Sequence, residues 1–390
     1  MTDNERIKIG LETLVVFEPL KRDPVLSSLY EYLKAPDAGQ YSKIISALYE
    51  ANGGSLDEYV RSVCEECSTF YVRMRGQGKT ASPYVEESLS AELATLQSVS
   101  DLTPAKLRAG LDWDGFLPEF SSGGVDIADS FHRRVDQIGK FGYGIFAKHR
   151  MFCIGDDGNI IPVRHPDETR LSDLIGYDIQ RRKIIDNTMA LLAGKPAANV
   201  LLTGDAGTGK SSTVKAIVNE FYSEGLRIVE VRKEQIPAVG AILDELAENP
   251  LKFIIFIDDL SFAKGDDSYS SLKAILEGSV SAKSHNVVIY ATSNRRHVVS
   301  ESFSDRDGDD IHRNDTMQEM ISLSERFGLH VTFGKPDKAT YLSIVKKLAA
   351  AAGLTDPEEE IALLAERFAL ERGGRSARLA RQFVDSLLAR

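Results

Sequence analysis

Residues 204–211, Gly-Asp-Ala-Gly-Thr-Gly-Lys-Ser, satisfy the pattern G-x-x-x-x-G-K-[ST] in full. The chemistry of that spacing is anion binding. Glycines let the backbone curl until its N–H groups point inward at phosphate oxygens. A helix opening near Lys210 adds the positive end of its dipole. Gly204, Asp205, Ala206, Gly207, Thr208, Gly209, Lys210, Ser211 and Ser212 are therefore the expected phosphate cradle. Lys210 is expected to reach the terminal phosphates, and the Ser211 hydroxyl to ligate Mg2+. A second, acidic element should close a buried strand, and FIIFIDD at 253–259 supplies it. Its apolar run ends on Asp258, which then sits at the carboxyl edge of the sheet and holds the metal. Asp259 is next along, either orienting or deprotonating the attacking water or serving only as a turn or helix-cap residue. Together the two elements argue hydrolysis of ATP or GTP rather than binding alone.

These residues need a sheet to carry them. Five β-branched runs, NVLLTG, LRIVEVR, KFIIFIDD, NVVIYATS and LHVTF, alternate with amphipathic stretches. That alternation predicts a five-stranded parallel α/β sheet with crossover helices over 166–335. Beyond Lys335-Pro336-Asp337 only helical patterns remain, so 336–390 is expected to be a helical lid. Residues 1–165 read as a mainly α-helical domain ending in a short β-hairpin, strand-like around IFAKHRMFCIG and turning at DDGN. Its single tryptophan, Trp113, is expected in the core. Cys64 and Cys67 lack two further ligands of zinc-site spacing and read as small apolar residues on a helix.

The chain has 390 residues, more than one compact core usually holds. The net charge of −11 comes without a lysine- or arginine-rich run, which disfavours nucleic acid while leaving a local basic pocket open. No apolar run approaches the ~20 residues that cross a bilayer. The polar opening MTDNERIKIG is unlike a secretory signal, and three cysteines suit a reducing compartment. A cytoplasmic protein is expected.

With the phosphate loop (Walker A) and the acidic strand (Walker B) in place, the remaining residues resemble the AAA+ ATPases. LIGYDIQRRKII is similar to that superfamily's adenine-contacting GxDxQ element, the match falling on Gly176, Tyr177, Asp178 and Gln180. VVIYATSNRR ends on Asn294, which the resemblance makes the polar sensor of water or γ-phosphate. SLSERFGLHVTF resembles the segment whose arginine, here Arg326, acts in trans on a neighbour's nucleotide. GGRSARLARQF resembles the lid helix with a second sensor arginine, Arg378, with Arg375 as the alternative. More narrowly, 165–390 resembles the bacterial AAA+ group known as domain of unknown function 815, on GKPAANVLLTGDAGTGKSSTVKA, FIIFIDDLSFAKGDDSYSSLKAILEG and YATSNRRHVV. One departure stands out: the second Walker B acid is an aspartate rather than the usual glutamate. It is a methylene shorter, so turnover is expected to be slow.

The resemblance implies a homo-oligomeric, ring-forming MgATPase that remodels or loads a protein partner recognised by the N-terminal domain. A nucleic-acid-associated loader or regulator, and an ATP-gated assembly switch that barely hydrolyses, remain open. A threading unfoldase would need an aromatic grip after the second strand, where this chain has only Ala238-Val239-Gly240. The acidic SFAKGDDSYSS loop with Tyr269 reads as a turn capping the next helix, or as a contact to a partner. Arg295, Arg296, His297, Arg306 and Arg313 put positive charge near the sheet edge.

Overall fold

The computed structural model describes residues 1–109, 111–262, 267–277, 285–294, 323, 325–354 and 357–389. Arg295, Arg296, His297, Arg306, Arg313 and residues 263–266 of the acidic loop lie outside them. The chain forms two compact units, Met1–Lys148 with Glu248–Leu251, and His149–Ala247 with Lys252–Arg390.

The first unit is helical, its longest helices being Ala38–Asn52 and Pro83–Ser100. Asp23 and Asp37 start successive helices by accepting first-turn N–H groups, as short acidic side chains do at an N-cap. Gly53, at φ 79, ends the second of these in the left-handed region. The buried stripes Leu26–Leu29 and Ile44–Leu48 then enter one core.

A carboxylate ties that core to the turn Val15–Phe17. Glu92, only 7% exposed, accepts N–H groups from Val15 at 2.7 Å, Val16 at 3.0 Å and Phe17 at 2.9 Å. Val16 and Phe17 are buried, so water cannot replace the carboxylate there; Val15 is exposed and can be rehydrated. Two stranded donors set the expected cost of Glu92→Ala at about 2–6 kcal/mol. Urea unfolding measures it, and hydrogen exchange at Val16 and Phe17 should speed up with it. Unchanged exchange would contradict the role.

Cys64 and Cys67 are buried in this core. Burial pushes both thiols up, Cys67 to about 11. Trp113 corrects its expectation: it is 57% exposed. It lies in irregular chain between the Pro104–Arg108 and Ile127–Asp136 helices, with no apolar periodicity to turn it inward.

The second unit is built on a seven-stranded sheet: β1 (Met151–Ile154), β2 (Ile160–Pro162), β3 (Val200–Gly204), β4 (Leu226–Val231), β5 (Lys252–Ile257), β6 (Val287–Ser293) and β7 (Leu329–Phe333). Their order is β2-β1-β4-β5-β6-β3-β7. β3 to β7 are the five expected runs, all parallel. Strands β3 to β6 are almost wholly buried, which explains their continuous apolar sequences. The hairpin β1–β2 corrects the expected domain limit at 165. β1 pairs in parallel with β4, Phe152 opposite Val229, and extends the sheet instead of closing the helical unit. Two strands alone are marginal in water, and the open edge of β4 offers β1 a full row of partners.

Three helices, Lys338–Ala351, Glu358–Glu371 and Ala377–Leu388, follow the sheet and share a core around Tyr341, Ala365 and Phe383. Among the described residues no helix is long and apolar enough to cross a membrane.

Candidate functional site

Register brings the chemistry together. Thr203 of β3 lies opposite Ser293 of β6, and Ile257 of β5 opposite Ala291 of β6. The next residues along, Asp258 and Asn294, therefore emerge beside the loop that follows Gly204. This is the carboxyl edge, where chain connections diverge to either side of β3 and open α/β sheets bind ligands.

The loop needs its glycines for different reasons. At Gly204, φ is 135 and a Cβ would lie 1.9 Å from the Phe333 carbonyl oxygen of β7. Gly207, at φ 77, would press a Cβ to 2.9 Å from that of Arg378. At Gly209 a Cβ would meet no atom within 4 Å, so the left-handed φ of 91 is the requirement there. Gly204→Ala is expected to displace β7 from β3 and abolish nucleotide binding, with a melting temperature lower by several degrees; calorimetry and isothermal titration check both. Wild-type binding would contradict it.

No side chain caps the Lys210–Phe221 helix among the described residues, which leaves its first N–H groups for an anion. Lys210 is 5% exposed. Its ammonium donates to the Gly204 and Asp205 carbonyls, both at 2.9 Å, and to Asn294 Oδ1 at 3.0 Å. Burial lowers the Lys210 pKa, opposed by Asp258, Asp205 and Asp259. Ser211 Oγ donates to Asp258 Oδ1 at 2.6 Å, and Asn294 Nδ2 to Asp259 Oδ1 at 2.6 Å. A hydroxyl and a carboxylate in contact are hard oxygen donors, the set magnesium takes.

A cavity of about 960 Å³ opens over these groups, at the upper end of the usual size for small-ligand sites. Residues 206–212, Asp258, Asp259 and Asn294 line it, and so do Tyr177 and Arg378. Gly204 and Asp205 contribute their carbonyls to Lys210 from beneath. Gly176 precedes Tyr177, which stands at φ 59 and donates its hydroxyl to the Gly334 carbonyl at 2.6 Å. Burial, then Asp205 and Asp337, push that hydroxyl up to about 12. The lid helix touches the loop directly, Arg378 N–H donating to the Gly207 carbonyl at 3.2 Å.

Of the two arginines expected as the second sensor, Arg378 lines the cavity. Arg375 instead pairs with Glu366 through two bonds of 2.8 Å. Arg326 lies outside the cavity of its own chain, its Nε donating to Glu277 Oε1 at 2.8 Å. Arg181, Arg381 and Thr292 also line the cavity and were missed in the sequence. For Arg381 a signal existed: it follows Arg378 by three residues and shares its helix face. Thr292 carried none, being one β-branched residue in a buried strand.

A phosphate loop at the carboxyl end of β3, which lies between β6 and β7, the parallel order β4-β5-β6-β3-β7 and a helical lid define the AAA+ fold. Residues 147–390 match the family described as protein of unknown function (DUF815), and the chain belongs to that family. No curated protein matches it. Solved structures similar to it include the RuvB Holliday junction branch migration motor of Thermotoga maritima, at 17% identity and TM-score 0.38 over 57% of this chain and 64% of that one. A point variant of the same motor gives 16% identity and TM-score 0.39 over 57% and 65%. The chain thus spans less than two thirds of the length of these structures.

Proposed function

We propose that this protein is a homo-oligomeric ATPase that hydrolyses MgATP at subunit boundaries and uses the cycle to remodel or load a protein partner held by its helical unit. The observation that carries the reading is the convergence of Lys210, Ser211, Asp258, Asp259 and Asn294 on one cavity at a helix N-terminus that no side chain caps among the described residues. Loop N–H groups and Lys210 bind the phosphates, and Ser211 with Asp258 holds the metal. Magnesium, when bound, offsets charge on the phosphate oxygens. Asp259 takes the proton of the attacking water at its carboxylate, and Asn294 orients that water. Tyr177 walls the base side, and Arg378 links the lid to the γ-phosphate. Arg326 is assigned to the next subunit's site.

A slower, assembly-gated version of the same chemistry has one observation in its favour. The Asp259 carboxylate is engaged by Asn294, and Arg326 by Glu277, so both must be released before turnover. Phosphate release measured against protein concentration tests the two together. A rate per subunit that rises with assembly supports the proposal. ATP-dependent assembly with negligible release supports the switch, and neither ATP binding nor release would refute both.

A further inference from the structure

The β5–β6 ladder does not end where the site begins. Ile257 faces Ala291 in parallel register, and the chain then returns to β6 at Leu260, whose N–H donates to the Thr292 carbonyl at 2.7 Å. Between those two points Asp258 and Asp259 bulge out of the ladder. Asp259 stands at φ 52, a left-handed backbone that a non-glycine residue keeps only when its surroundings hold it there. Bulges of this kind re-aim side chains beside active sites.

One side chain spans the bulge. Thr292 is 2% exposed, and its Oγ1 accepts the Asp259 N–H at 2.9 Å while donating to Asp258 Oδ1. A hydroxyl can accept and donate at once. Valine, of nearly the same shape, can do neither. The same Asp258 oxygen also receives Ser211 Oγ at 2.6 Å and, more weakly, the Asp259 N–H at 3.2 Å. Thr292 thus contacts the backbone of one acid and the carboxylate of the other from below.

We infer that Thr292 is the positioning residue of the acidic pair: its hydroxyl holds Asp259 in the left-handed conformation and turns the Asp258 carboxylate toward Ser211. This rests on the hydrolytic reading for its consequence, though not for its geometry. Removing the hydroxyl frees Asp259 to relax to negative φ, which moves its carboxylate, and lets the Asp258 carboxylate rotate. Phosphate binding, made by the loop and Lys210, is left alone.

Thr292→Val and Thr292→Ser test this by crystal structures without nucleotide, nucleotide titration without Mg2+, and Mg2+ dependence of phosphate release. In Thr292→Val, Asp259 is expected to leave the left-handed region. A displacement on the ångström scale is expected to lower kcat about 10²-fold. The Mg2+ needed for half-maximal rate should rise, while Mg2+-free affinity should stay within about threefold. Thr292→Ser should restore all of these. Should the valine variant not fold, Thr292→Ala takes its place in every arm. A hydroxyl-free variant with Asp259 still at positive φ overturns the inference, and so does a serine variant as slow as valine. If the unmodified protein releases no phosphate, the hydrolytic reading fails by itself, and the Asp259 backbone in the variant crystals still decides the positioning role.

Discussion

Asp259→Asn is expected to keep nucleotide bound and to stop its turnover. The carboxylate sits on the cavity wall, accepts from Asn294 Nδ2 at 2.6 Å, and has no bond to Lys210 or to the phosphate loop among the described contacts. An amide there keeps the shape and removes the proton acceptor. General-base assistance contributes about 10²–10⁴ in rate, so kcat should fall by that factor. The Asp259 side chain shapes neither the cradle nor the metal pair, so affinity should hold within about threefold. Lys210→Ala should behave oppositely. It deletes the buried cation proposed to bind the phosphates, and a charge-assisted bond contributes about 1.5–3 kcal/mol, or roughly 10–100-fold in affinity for each one lost. Isothermal titration and phosphate release on both variants separate the roles. Retained turnover in Asp259→Asn would remove its assigned part, and unchanged affinity in Lys210→Ala would remove the phosphate site altogether.

Arg326→Ala should cost more, yet be curable by another defective protein. In its own chain Arg326 lies outside the cavity, paired with Glu277 at the end of the Asp267–Glu277 helix. A guanidinium so placed has no way to act on its own nucleotide without leaving that pair. Supplied in trans, such an arginine is worth about 10³–10⁵ in rate. Arg326→Ala alone should therefore bind nucleotide and release almost no phosphate. Mixed with Asp259→Asn, which keeps its arginine, it should regain activity, because some boundaries join an intact pocket to an intact arginine. In random equal mixing that is about a quarter of head-to-tail interfaces. Titrating one variant into the other reads it out. No recovery at any ratio would confine Arg326 to a structural ion pair.

Much of the cavity was legible because its parts are local. The glycines of 204–209 encode their own left-handed turns, and the run 253–257 must be a strand buried on both faces. Asp258 falls at that strand's end by counting alone. Other parts depended on side chains that no spacing relates. Arg375 and Arg378 stand three residues apart beside a lid helix and look equivalent in sequence. Glu366, nine residues before Arg375, takes that arginine, whereas Arg378, whose backbone N–H bonds the Gly207 carbonyl, lines the cavity. Trp113 misled for a similar reason: a large apolar ring is usually inside, but burial requires a periodic segment to carry it.

The amino-acid order by itself determined the phosphate loop, the acidic pair, five parallel strands and a helical lid, because each is written in contiguous residues whose conformation and polarity leave few alternatives. Only the tertiary structure decided that the 151–162 hairpin joins the sheet, that Asn294 meets both Lys210 and Asp259, and that Thr292 reaches under both acids. Those are matters of register between strands far apart in the chain, and hydrogen-bond complementarity across a sheet leaves no mark on either strand alone.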